Sequence, residues 1–213
     1  MKLLYPLLFA LSLTACGGSD SDSPTPELPT ATPPVDAREL NADVCYIMST
    51  TMGDIGLAID NTNTPITAAN FARYVEDEYY NDTLFHRIMY QFVSQGGGFT
   101  AGMVAKPGFD AITLEDNVGL ANERSTIAMA RTGVADSATS QFYINALDNP
   151  MLDYANVDYS NGQRGYAVFG RVYEGMAEVV DQINMVDVVL SGTGVPVTDI
   201  VINSVTETSC PTM

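Results

Sequence analysis

The sequence predicts a mainly β fold, a closed antiparallel barrel capped by two helices. Three observations point there. Short runs rich in aromatic and β-branched residues recur between turn signals, as strands do. Two segments carry a helical signature, and both are short. Apolar residues make up 46% of 213, enough for one ordinary domain with a core, plus an extra tail.

The tail comes first. Lys2 precedes an apolar stretch, Leu3 to Leu13, that is too short to span a bilayer as a permanent helix. It ends in Leu13-Thr14-Ala15-Cys16, which resembles a bacterial lipobox, in which the Cys is lipidated and becomes the new N-terminus. Residues 1–15 therefore read as a signal peptide. Residues 16–40 read as the lipidated Cys16 and a tether dominated by Pro, Ser, Thr and Asp, with too few large apolar residues to offset chain entropy. At about 3.1 Å per residue the tether reaches roughly 70 Å. Gly17 follows Cys16 where an inner-membrane retention signal has Asp. The expected location is thus the cell envelope, lipid-anchored, on the outer membrane facing the periplasm.

The folded part is expected over residues 41–213. Val44–Ser49 and Ile55–Asp60 read as strands joined by the turn Thr51-Met52-Gly53-Asp54. Thr64-Pro65 opens a helix, with Thr64 as N-cap and Pro65 at the first helical position; Phe71 and Val75 share one face. Leu84–Phe99 reads LFHRIMYQFVSQGGGF, two strand-like runs closed by a triple glycine. Pro107 to Asn122 reads as a long loop anchored by Leu114, Val118 and Leu120. Short strands follow at Thr126–Arg131, within Ser137–Ile144, and at Gly165–Val172. Between the last two lie Met151-Leu152-Asp153 and a loop rich in Tyr, Asn and Gly. Met176, Val179, Val180 and Ile183 fall at i, i+3, i+4 and i+7, an amphipathic helix, and Val197–Glu207 closes the chain as a strand.

Composition excludes several functions. The formal net charge is −17, from 9 Lys and Arg against 26 Asp and Glu, which disfavours nucleic acid as a partner and repels anionic lipid unless something anchors the chain. There is no CxxC, and His86 is the only histidine, so no metal site or cofactor is expected. The triple glycine lacks the Lys and helix start of a phosphate loop. No G-x-S-x-G elbow is present for a hydrolase. With Cys16 used by lipid, Cys45 and Cys210 flank the folded region, either paired or as two buried thiols.

Phe85-His86-Arg87-Ile88 followed by Phe92-Val93-Ser94-Gln95-Gly96-Gly97 resembles the signature of the cyclophilins, the peptidyl-prolyl cis–trans isomerases. Met129-Ala130-Arg131 with Ser140-Gln141-Phe142-Tyr143-Ile144, and Val168-Phe169-Gly170-Arg171-Val172, resemble the family's later blocks in order. The Met-Ala-Arg form is similar to bacterial extracytoplasmic members. The resemblance covers about Val44 to Thr208 and implies an eight-stranded barrel. Its first and last strands lie close together, which implies a Cys45–Cys210 bridge.

The resemblance also implies the site. Arg87 would be the catalytic residue, stabilising the twisted amide, and Gln95 would orient it and bind substrate backbone. Phe92, Val93, Tyr143 and Leu152 would form the slot for the proline ring. Ala130 and Arg131 would offer backbone, and Gln141 would line the groove. Val93 stands where Met is usual and Tyr143 where Phe is usual, changes expected to lower affinity or rate. Met151 and Tyr166 stand at substrate-contacting positions where the cyclosporin-binding pattern has Trp and His, so weak cyclosporin binding is expected. His86 reads as structural, and Phe142, Ile144, Val168 and Phe169 as core. The implied function is isomerisation of X–Pro bonds in exported proteins by a monomer whose partners are proline-containing polypeptides and, through Cys16, a membrane. The alternative is a proline-peptide binding module or chaperone with little turnover.

Overall fold

A computed structural model of the chain describes residues 38–158, 162–189 and 192–211. The signal segment, Cys16 and the tether up to residue 37 lie outside the described residues. Strands β1 (Val44–Thr50) and β2 (Gly53–Ile59) form a hairpin over Thr51-Met52, and helix α1 (Pro65–Glu76) follows. Next come β3 (Thr83–Met89), β4 (Val93–Gly96) and a two-stranded ribbon, β5 (Phe99–Thr100) with β6 (Val104–Ala105). The remaining barrel strands are β7 (Thr126–Met129), β8 (Phe142–Asn145), β9 (Val168–Glu174) and β10 (Val201–Thr208). Before β10, a π-helical stretch at Met176–Val180 runs into α2 (Asp181–Asn184). Eight strands close in the order β1-β10-β3-β4-β8-β7-β9-β2, every pair antiparallel, so the barrel has no edge strand.

Alternation along each strand sorts the side chains onto two faces. Phe142 and Ile144 on β8, Ile127 and Met129 on β7 and Phe169 on β9 enter the main core, together with Phe71 and Tyr74 of α1 and Val179, Val180 and Ile183 of the second helical segment. The Phe71 ring sits centrally, with the Tyr46, Tyr80 and Phe169 rings 5.2–5.5 Å away. The intervening residues Ala128, Tyr143 and Val168 face outward and join a second, smaller cluster. Val168 is therefore not part of the barrel interior but of the layer outside it.

Two expectations need correction at the element ends. Thr64 is the N-cap residue of α1 and its carbonyl accepts from Ala68 N at 2.8 Å, but its side chain supplies no cap bond: Oγ1 donates to the Asp60 carbonyl at 2.7 Å. The side-chain cap comes from Glu115, whose carboxylate accepts from the Ile66 and Thr67 amides at 3.2 and 2.8 Å and from Thr67 Oγ1 at 2.7 Å. A carboxylate at a helix N-terminus also meets the positive end of the helix dipole, and here it pins the 107–122 loop to α1. The last strand begins at Val201, not Val197. Pro196 lacks an N–H; it makes one isolated bridge to Val188, and the chain folds on itself through Val189 N to Val195 O before entering the barrel.

Cys45 and Cys210 form a disulfide across a separation of 165 residues, adjoining the β1–β10 pairing of Cys45 with Thr208. In the chain-entropy view a loop that long contributes about 5 kcal/mol.

Candidate active site

Strand register assembles the site. Arg87 on β3 lies opposite Gln95 on β4; Gln95 lies opposite Tyr143 on β8; Tyr143 opposite Ala128 on β7; and Ala128 opposite Val168 on β9. Residues directly opposite share a face, so one row crosses five strands on the outside of the barrel. It is polar at the Arg87 end and apolar at the Val168 end.

At the polar end, Arg87 Nη1 donates to Gln95 Oε1 at 3.4 Å, and Gln95 Nε2 donates to Gln141 Oε1 at 3.0 Å. All three side chains are half-buried. Gln141 lies directly over Gly98, where any Cβ would collide with its side chain, so the triple glycine supplies close approach. Gly194 braces Arg87 from the other side. Its carbonyl accepts from Ile88 N at 2.6 Å, and a Cβ there would stand 3.2 Å from Arg87 Cγ and 2.7 Å from the Ile88 oxygen.

At the apolar end Val93, Tyr143, Ala128, Val168 and Leu120 are buried, and Phe92, Ala130, Leu152 and Tyr166 pack on them half-exposed. This makes a slot with a buried floor and a partly open wall. The Tyr143 hydroxyl donates to Asn122 Oδ1 at 2.7 Å, and burial pushes its pKa well up, so it remains a neutral donor. Tyr166 meets Tyr143 edge-on at 5.8 Å and lies beneath the Arg131 guanidinium, 4.5 Å away. That guanidinium donates to the carbonyls of Gly165, Arg164 and Thr132, tying down the far end of the 153–165 loop. The Asp116 carboxylate pairs with Arg164 and accepts from Gly165 N at 2.8 Å. The Ala130 amide is used by the Gln141 carbonyl at 2.9 Å. Met151 is 59% exposed on the turn Pro150–Leu152, outside the slot.

The structure thus brings Arg87, Gln95 and Gln141 into one hydrogen-bonded line, and Phe92, Val93, Tyr143 and Leu152 into one apolar cluster. His86 is buried beside Arg87 where β3 bulges, between the interior residues Phe85 and Ile88, its ring 4.6 Å from that of Phe99 and its Nδ1 without a hydrogen-bond partner among the described residues. Burial, reinforced by the Arg87 charge, holds its pKa below the usual value. Among the described residues no group of three or more His, Cys, Asp or Glu is placed to hold a metal ion. Sequence reasoning missed Asn122, Gly194 and Asn184. The last accepts from Gln91 N at 2.8 Å and donates to the Met89 carbonyl and Ser94 Oγ, fixing the β3–β4 turn that carries Phe92. Their one local sign is residue type, Asn or Gly next to a turn, which many loop residues share.

Residues 45–207 match the family described as cyclophilin type peptidyl-prolyl cis-trans isomerase/CLD. The chain is 46% identical over 140 residues to peptidyl-prolyl cis-trans isomerase A of Dickeya dadantii, covering 66% of this chain and 70% of that protein. It is 43% identical over 159 residues to peptidyl-prolyl cis-trans isomerase B of Escherichia coli, covering 74% and 95%. The crystal structure of a cyclophilin type peptidyl-prolyl cis-trans isomerase of Cryptosporidium parvum, in the presence of dipeptide Ala-Pro, shares the fold. Its TM-score is 0.65 at 22% identity, covering 78% of this chain and 99% of that one.

Proposed function

Because the chain belongs to the cyclophilin-type peptidyl-prolyl cis–trans isomerases, we propose that the Arg87 row and its apolar slot are the place where this isomerase turns X–Pro bonds, in proteins exported to the cell envelope. The enzyme acts in protein folding. The observation that carries the site assignment is the single row of residues, cationic at one end and apolar at the other.

The chemistry needs no nucleophile. The barrier of about 18–20 kcal/mol is amide resonance, and a catalyst must bind the twisted amide better than either planar form. Twisting returns a lone pair to the imide nitrogen. The Arg87 guanidinium, permanently charged and half-buried, donates to it. Gln95 holds the guanidinium, and Gln141 holds Gln95. The slot of Phe92, Val93, Tyr143 and Leu152 takes the proline ring and keeps water from the reacting amide. Each ~1.4 kcal/mol gained at the twisted state is about tenfold in rate.

Lipid on Cys16 would hold the enzyme at the membrane. The lipobox-like Leu13–Cys16 motif supports this, and the Cys45–Cys210 disulfide supports an oxidising compartment. No helix among the described residues is long and apolar enough to cross a membrane. The outer membrane facing the periplasm, and a monomeric state, complete the reading.

Exchange NMR on an Ala-Pro peptide tests the site: catalysed interconversion should collapse in Arg87→Ala while the fold persists. Retained exchange in a folded Arg87→Ala protein would move the chemistry elsewhere. For the anchor, the full chain expressed in a bacterial host should partition with membranes and Cys16→Ser should not. Equal partitioning of the two would remove the lipid from the account.

A further inference from the structure

Tyr143 raises a physical question that the isomerase chemistry leaves open. A hydroxyl on the floor of a proline slot is expected to repel the ring or to demand water. Here it does neither. Tyr143 is 4% exposed, and its hydroxyl is committed to Asn122.

Asn122 is itself 1% exposed, and each of its polar groups is used. Its Oδ1 accepts from Tyr143 and, at 3.3 Å, from Asn145 Nδ2. Its amide N–H and Nδ2 both donate to Asp153 Oδ1, at 2.6 and 2.9 Å. Its carbonyl accepts from Asn149 N at 2.8 Å. Asn149 extends the web: its Nδ2 donates to the Phe92 carbonyl at 3.1 Å, and its own carbonyl accepts from Leu152 N at 2.9 Å. The Leu152 carbonyl in turn accepts from Tyr166 N at 2.9 Å. The slot residues Tyr143, Phe92, Leu152 and Tyr166, which come from four separate segments, are therefore linked through a chain of bonds that runs from Asn122 through Asn149 and the Leu152 carbonyl.

We propose that Asn122 is a positioning residue for the proline slot: it ties the Tyr143 phenol on the floor to Asp153, where the 153–165 loop departs, so that floor and wall keep one shape. The proposal rests on the slot assignment made above. It gives Tyr143 a purpose distinct from contact with substrate: the phenol is a tie. Returning this position to Phe, the residue usual in the family, removes the tie and leaves Asn122 Oδ1 with the longer Asn145 contact only. The slot then loosens although its lining stays equally apolar. The loop base is clamped independently at its other end by Asp116 and Arg131, so release at Asp153 frees one side of the wall and not the whole loop.

The test uses the described domain with its disulfide intact, and two readouts. The first is the Kd of an Ala-Pro tetrapeptide from NMR titration, with the catalysed exchange rate at saturation. Tyr143→Phe should weaken binding about three- to tenfold, the size of one buried hydrogen bond, with the loss falling on Kd more than on the saturated rate. Asn122→Ala should do at least as much, and the double variant should be no worse than Asn122→Ala alone, since both break one tie. The second readout is amide hydrogen exchange at Asn122 and Tyr166, which needs no turnover and should speed up in Tyr143→Phe. Tyr143→Phe keeps the ring volume, so it serves even if Asn122→Ala fails to fold. A Tyr143→Phe protein with lower melting temperature but unchanged Kd and unchanged exchange at Tyr166 overturns the proposal and leaves the hydroxyl with a packing role. Absent catalysis in the wild type would instead strike the isomerase assignment, while the exchange readout would still decide the tie.

Discussion

The interior of the barrel and its outer row are built from alternate residues of the same strands, yet they obey different rules. Phe142 and Tyr143 are neighbours on β8, and both are almost fully buried. Phe142 packs edge-on against Phe85, Tyr80 and Phe71 at 5.6–6.4 Å and needs no polar partner. Tyr143 sits in a layer where the buried Asn122, Asn145, Asn149 and Thr126 are tied to one another, to Tyr143 or to the half-buried Asp153. The interior is held by contact, which is non-directional and tolerant. The outer layer is held by hydrogen bonds, which are directional and costly to leave unmade. A site that must hold a twisted amide within a fraction of an ångström gains more from the second kind of order.

The comparison can be broken most forcefully from the inside. Phe142→Ala should cost about 3–5 kcal/mol of stability, measured by denaturant unfolding, with activity lost only in step with the folded fraction. Arg87→Ala should do the reverse. Its unfolding midpoint should stay near wild type, because the residue is half-buried at the rim, while catalysed exchange falls by about 10²–10³-fold, the scale for removing one preorganised donor. If Arg87→Ala destabilised the fold as much as Phe142→Ala, the division between the two faces would not hold.

Much of this division was legible in the sequence. The resemblance puts Phe142 and Ile144 in the core and Tyr143 in the slot, and its blocks imply which residues carry chemistry. The blocks imply that Gln95 orients Arg87 and that Gln141 lines the groove; the three side chains form one hydrogen-bonded line. What stayed hidden is long-range and polar. Thr64-Pro65 marks the start of α1 correctly, but the side chain that bonds its free amides is Glu115, 48 residues away. Asn122 bonds to Asp153 across 31 residues, and no spacing rule connects a loop asparagine with a distant loop aspartate. Val168 read as core and is buried, but in the outer cluster rather than the barrel interior, a distinction that its apolar character does not make. The outer cluster had to be seen before Val168 could be assigned to it.

Gly194 offers a sharper and smaller test. It belongs to neither region, lying in the segment before β10, but it touches the stem of Arg87. Its φ of +73° is costly for any residue with a Cβ. Gly194→Ala should therefore destabilise by about 1–2 kcal/mol from backbone alone. If the segment also braces the guanidinium, the saturated exchange rate of the folded variant should fall severalfold while peptide affinity holds. Loss of stability with an unchanged saturated rate would show that Arg87 is held by Gln95 without help from Gly194.

The smallest effect is expected at His86, which probes where the two regions meet. Its ring is buried against Phe99 and its Nδ1 has no hydrogen-bond partner among the described residues, so protonation would place a second charge in a desolvated site next to Arg87. Burial holds its pKa below the ordinary 6.5. The unfolded chain therefore takes up this proton first as pH falls. The stability linked to neutral His86 is intact above about pH 6.5 and is lost as pH drops from there through the lower folded value. Unfolding of wild type and His86→Gln, followed from pH 7.5 to 5, separates this group from the many carboxylates common to both. Wild type should lose stability relative to the variant across that window. A constant difference would mean that the histidine titrates alike in both states, and that its ring is wetter than the packing against Phe99 implies.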